Sequence, residues 1–189
     1  MTEPPATLRP AGNPVLRMLL RIQAGLFLVA LAWGWLRGIP WWGQVRLDGW
    51  LLLGLPAGVA LSILSQSLFE WWGRRSPLVR SLREDLLRPI SRCLTLRDKA
   101  LVSACSGVAE EALFRGVLLG EFGLPVSSLL FGIFHVGDRR MLPLIAWAVV
   151  VGAGLAMLVQ ATGNLGAAMA VHAASNFTTF LILQRGPTR

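Results

Sequence analysis

The chain is poor in charge. Asp, Glu, Lys and Arg make up 15% of its 189 residues, where a soluble domain carries about 25%. Together with 54% hydrophobic residues and a mean hydropathy of +0.58, this shortage excludes an ordinary water-soluble fold and makes the lipid bilayer the expected solvent. Cysteine is scarce too. Cys93 falls in a basic stretch and Cys105 in an apolar one, neither with neighbours at metal-ligand spacing, so both are expected as free thiols. Lysine is nearly missing: Lys99 stands alone beside seventeen arginines in a net charge of +8. These arginines cluster between apolar runs, so they are read as topology signals and lipid-headgroup contacts, and no nucleic-acid partner is expected. The sequence shows no Gly-rich phosphate loop and no internal repeat.

What the chain has is long apolar runs. Candidate helices lie near 18–36, 50–69, 100–120, 141–160 and 165–183, with a shorter one near 125–136, each long run matching the roughly 20 residues a bilayer requires. Gly38 and Pro40, Gly73, Gly123 and Pro125, Gly137 and Asp138, and Thr162 and Gly163 separate them. The run Met18 to Leu36 exceeds a signal-peptide core and lacks a small-residue cleavage site, so it is expected to persist as the first helix. The expected fold is all-α: a polytopic membrane bundle of about six transmembrane helices with one interfacial amphipathic helix. The expected division is an N-terminal cytoplasmic segment (1–17), two transmembrane helices (18–72), a basic amphipathic loop (73–97), a catalytic helical core (98–183) and a cytoplasmic tail (184–189).

Six segments fix which loops share a side. The loop from Arg74 to Lys99 carries eight basic residues; parity puts Arg9 and Arg17, Arg139 and Arg140, and Arg185 and Arg189 with it, leaving Arg37 and Arg46 opposite. The positive-inside rule then makes the basic side cytoplasmic, with both termini there. Trp41, Trp42, Trp50, Trp71 and Trp72 fall near helix ends and read as interfacial anchors. Leu78, Leu82, Leu86, Leu87 and Ile90 recur at helical spacing between arginines, the pattern of an amphipathic helix lying on the membrane surface. It is read as a lipid-facing anchor, with a substrate-guiding role as the alternative.

An ionised side chain at mid-bilayer costs on the order of 3 kcal/mol or more, so each one there requires a partner or a purpose. Glu110, Glu111, Arg115, His135 and His172 qualify, in three segments. Glu111 and Arg115 are four apart on one helical face and are expected to pair. Glu110 lies about 100° round the helix and faces something else, which suits a general base. In the second cluster Phe131 precedes His135 by four residues, on a segment too short to span the core; His135 then ends near mid-membrane, beside a water-accessible turn. In the third, His172 and Asn176 share one helical face. Counting rise per residue puts Glu110, His135 and His172 at about one depth.

In that order and spacing, Glu-Glu-x-x-x-Arg, Phe-x-x-x-His and His-x-x-x-Asn resemble the motifs of the CPBP family, also called the Abi or CAAX protease family, over about residues 97–183. The resemblance implies a glutamate-dependent intramembrane endopeptidase acting on a membrane-associated protein. Carried over, Glu110 is the base that activates water, His135 helps bind that water, His172 and Asn176 form the oxyanion site, and Glu111 with Arg115 is the supporting pair. Phe131 supports the site as a member of the second motif.

Other readings compete. Glu110, His135 and His172 could instead hold a divalent metal such as zinc with one position open for water; the absence of a His-Glu-x-x-His helix favours a cofactor-free enzyme. The chain could be a non-catalytic relative, a bacteriocin-immunity protein or scaffold. A proton channel would string its polar groups along a path, whereas these bunch at one depth. The expected location is a bacterial plasma membrane, in contact with its lipids.

Overall fold

The computed structural model describes residues 13–185, and no strand occurs among them. The expected all-α membrane bundle is what forms. Arg9 and the rest of 1–12, and Arg189 with 186–188, lie outside the described residues.

Helix α1 (Pro14–Arg37) starts four residues before the apolar run, because the Asn13 side chain accepts from the Val15 and Leu16 N–H groups and Pro14 lacks a donor to satisfy. It ends at Gly38, whose φ of 65° is left-handed. After a 3-10 turn (Trp41–Gln44), α2 (Gly49–Gly73) begins on an Asp48 cap. The basic loop folds as α3 (Pro77–Ser81), a π-helical stretch (Leu82–Leu87) and α4 (Arg88–Cys93). A Thr95/Asp98 capping box opens α5 (Leu96–Glu111). It runs without a break through a π-helical stretch (Ala112–Leu118) into α6 (Leu119–Ile133). A 3-10 turn (Arg139–Met141) leads to α7 (Leu142–Thr162), and α8 (Leu165–Arg185) follows.

Five stretches are long and apolar enough to cross a membrane: Pro14–Arg37, Gly49–Gly73, Leu96–Ile133, Arg139–Thr162 and Leu165–Arg185. The expected short segment near 125–136 lies inside the third. Gly123, at φ 75° and ψ 175°, breaks that helix, a backbone shape that a residue with a Cβ adopts only under strain. The chain doubles back there, since the rings of Phe114 and Phe131, on opposite sides of the break, are 5.1 Å apart. Residues 124–133 are therefore a half-length returning helix.

Contacts group the helix ends as parity did. The Asn13 amide donates to the Cys93 carbonyl, Met141 packs on the cluster of Val79 and Leu82, and Lys99 bonds Gln184. On the opposite side Arg37 pairs with Glu121 at 3.0 Å, and Asn164 donates to the Arg46 carbonyl and to Asp48.

Lipid offers no hydrophobic driving force between helices, so close packing must hold them together. Gly54 and Gly58 of α2 and Gly107 of α5 supply it, letting both helices press on the backbone of α8. A Cβ at Gly58 would stand 2.3 Å from the Val171 carbonyl oxygen, a backbone atom that cannot swing aside. Gly58→Ala is therefore expected to destabilise the bundle by about 1–3 kcal/mol, read as a lower unfolding midpoint in detergent; an unchanged midpoint would show that α2 and α8 are free to separate there.

Two expectations are corrected. Trp41 is no interfacial anchor: it is 4% exposed, its indole N–H donates to the Ala30 carbonyl, and Gly34 and Gly116 leave the room it fills. Trp42, Trp50 and Trp71 are exposed. The basic amphipathic segment does not simply float on lipid either. Val79 and Leu82 are fully buried against Phe69, Leu144 and Trp147, and the Ser91 hydroxyl donates to the Phe180 carbonyl of α8. Of its apolar stripe, Leu82 is covered by protein and Leu86 and Leu87 pack partly buried against the same cluster, while Leu78 stays exposed.

Candidate active site

Glu110 and Glu111 close α5 immediately before the π-helical stretch Ala112–Leu118, all seven residues of which are buried. Single π turns of this kind recur at functional sites because they re-aim side chains relative to α-helical spacing. Here the two carboxylates diverge. Glu111 is fully buried and one of its oxygens, Oε1, receives two donors: the Arg115 guanidinium at 2.9 Å and His172 Nδ1 at 2.7 Å. The expected Glu111–Arg115 pair forms, and Glu111 also holds the histidine, a link the sequence reading did not contain.

Arg115 is tied further. Its second terminal nitrogen donates to the Gly152 carbonyl at 3.0 Å, and its guanidinium lies over the Phe131 ring at 4.2 Å, a cation–π contact strengthened by burial. Phe131 is the hub of the site: its ring also meets Phe114 at 5.1 Å, His135 at 5.0 Å and His172 at 5.8 Å, all edge-on. Residues from α5, α6, α7 and α8 are thereby locked to one another, so the imidazole has little freedom to turn.

Because Glu111 takes Nδ1–H, His172 presents Nε2 to Glu110, 3.9 Å from its Oε2. That gap is too long for a direct hydrogen bond and short enough for one bridging water. The other oxygen of Glu110 accepts from the Gln23 amide at 2.9 Å. Gln23 is the residue the sequence reading missed. It is buried in α1, 87 positions away, and its one sequence signal was an amide in the middle of an apolar run.

His135 stands just past the end of α6, where its Nδ1 lies 2.8 Å from the Phe131 carbonyl. A carbonyl only accepts, so Nδ1 is the donor there, and in the neutral ring Nε2 keeps the lone pair. The Asn176 amide donates to the Ser106 hydroxyl at 2.8 Å. Ser106, one turn before Glu110, is another residue that sequence pattern did not single out.

Glu110, His135, His172, Asn176 and Gln23 all line one cavity of about 460 Å³, within the range of small-ligand sites. Glu111 and Arg115 sit behind its wall. Among the described residues no three His, Cys, Asp or Glu side chains come together as a metal-holding group.

No curated protein matches the chain, and no solved structure does. The family model described as Rce1-like, type II CAAX prenyl endopeptidase, matches residues 95–178, just under half of the chain and the part that bears all three motifs. The chain is an integral membrane protein, and its residues 95–178 are similar to the CAAX prenyl endopeptidase family that this model describes.

Proposed function

We propose that the chain is a glutamate-dependent intramembrane endopeptidase that hydrolyses a peptide bond of a membrane-associated protein. The observation that carries this reading is the convergence of Glu110, His135, His172 and Asn176 on one cavity, with Glu110 held by Gln23 and its free oxygen 3.9 Å from His172 Nε2.

Amide hydrolysis requires a base for water, donors for the developing oxyanion and an acid for the leaving amine. Glu110 takes a proton from water, and the His135 Nε2 lone pair accepts the water's other hydrogen. The new C–O bond pushes the carbonyl electrons onto oxygen. His172 Nε2, when protonated, and the second N–H of Asn176 donate to that oxyanion. The proton on Glu110 then passes to the amide nitrogen, the C–N bond breaks, and an amine and a carboxylate leave. Glu111 contributes through His172, which it holds by Nδ1, and Arg115 neutralises Glu111. The basic side, with both helix ends 13 and 185, faces the cytoplasm.

The test is hydrolysis by the purified protein in bilayers of a panel of membrane-anchored peptides, run in ¹⁸O-labelled water. The expected result is a new carboxyl terminus carrying one label, with activity that survives chelation. No cleavage across the panel, or loss to chelator restored by zinc, would overturn the mechanism.

A further inference from the structure

Segment 77–93 lies outside the family match at 95–178, yet it builds part of the cavity: Arg83, Leu87 and Ile90 line it together with the active-site residues. Eight basic residues stand between Arg74 and Lys99, where water and lipid headgroups would solvate every one. Arg83 nevertheless points inward and is only 6% exposed. Its Nε is buried with no hydrogen-bond partner among the described residues. Glu70 is its electrostatic neighbour, and burial pulls the guanidinium below its ordinary range while Glu70 opposes that shift. Arginine stays charged at any physiological pH. Arg88, buried as deeply, gives its guanidinium to Glu84. Of these two, Arg83 keeps an unmet demand for an anion.

The position of that demand is informative. The cavity wall follows α8 from His172 to Leu183, about 16 Å at 1.5 Å per residue. Arg83 belongs to the Leu183 end, since its neighbour Leu82 packs with Phe69 and the following helix α4 bonds Phe180. An extended peptide advances about 3.3 Å per residue. A chain whose scissile bond lies at Glu110 would bring a group a few residues away beside the guanidinium.

We propose that Arg83 receives a carboxylate of the substrate chain and so fixes which peptide bond reaches Glu110. A guanidinium fork takes a carboxylate through two parallel N–H donors, which supplies orientation as well as attraction. The carboxylate is either the substrate's free C-terminus or an Asp or Glu side chain at the same spacing. This rests on the proposed hydrolytic function and adds to it a selectivity element drawn from outside the family-matched residues.

The experiment uses the full-length protein in nanodiscs with a peptide library in three forms: free C-terminal acids, the matching C-terminal amides, and amides with one acidic residue moved along the chain. Wild-type protein is expected to favour acids over amides, or one acidic position over the others, by at least tenfold in kcat/KM. Arg83→Gln should bring that ratio close to one, mainly through KM, and Arg83→Lys should leave an intermediate ratio. A preference for the free acids assigns the C-terminus; a preference for one internal position assigns the side chain. Binding of uncleaved free-acid and amide peptides to Glu110→Gln protein, with and without Arg83→Gln, gives the same comparison without turnover. Equal treatment of all three forms by the wild type, or an Arg83→Gln ratio unchanged in folded protein, would overturn the assignment. So would an effect of Arg83→Gln that tracks anionic lipid in the nanodisc and not peptide form. Failure of the wild type to cleave any peptide, with carboxylate-dependent binding intact, would strike the hydrolytic reading and leave Arg83 standing.

Discussion

Glu110→Gln is expected to lower peptide-bond hydrolysis by about 1,000-fold while leaving the fold intact. The amide is the same size as the carboxylate, and its oxygen can still accept from the Gln23 amide now 2.9 Å from Glu110. Glu110 makes no ion pair shorter than the 3.9 Å approach to His172, so little of the bundle's stability depends on its charge. What disappears is the capacity to take a proton from water and return it to nitrogen, and general-base contributions of this type are worth about 100- to 10,000-fold. The measurement is cleavage rate against the unfolding midpoint, alongside membrane proteomics for new protein termini in cells carrying either protein. Wild-type activity in the folded variant would remove Glu110 from the chemistry. A cellular role that persists unchanged would instead make this a non-catalytic relative, a scaffold or immunity protein.

Removing Glu111 should cost both stability and activity. Its carboxylate and the Arg115 guanidinium are essentially unexposed and 2.9 Å apart, and removing one partner strands a charge in a low-dielectric interior, typically at about 3–5 kcal/mol. The activity loss has a separate cause: without the Glu111 oxygen 2.7 Å from Nδ1, His172 can turn or change tautomer. The double variant Glu111→Leu with Arg115→Met separates the two. Replacing a buried pair by apolar side chains of similar volume is often neutral for stability, so most of the unfolding midpoint should return. Cleavage should not, because His172 still lacks its acceptor. Recovery of both together would reduce Glu111 to a structural ion pair and leave His172 oriented by Phe131 alone.

The division between Glu110 and Glu111 was legible in sequence because helical periodicity is local. A four-residue spacing brings Glu111 under Arg115, and a one-residue offset turns Glu110 aside. The short segment ending at His135 was legible for the same reason, as a breaker at Gly123 followed by too few residues to cross. Where the reading stopped was at partners from other helices. Gln23 meets Glu110 across 87 positions and Asn176 meets Ser106 across 70, and no pattern within either helix records the meeting.

The solvent, the helical segments and the grouping of loops by side were thus legible in the sequence, since each follows from apolar length, charge placement and a fixed rise per residue. Tertiary packing settled the rest: one oxygen of Glu111 serves both Arg115 and His172, Trp41 is buried, and of the basic side chains between 74 and 99 it is Arg83 that lines the cavity wall. Those outcomes depend on how rigid helices are rotated and pressed together. That rotation is set by glycine contacts, such as Gly58 against Val171, between segments more than 100 residues apart.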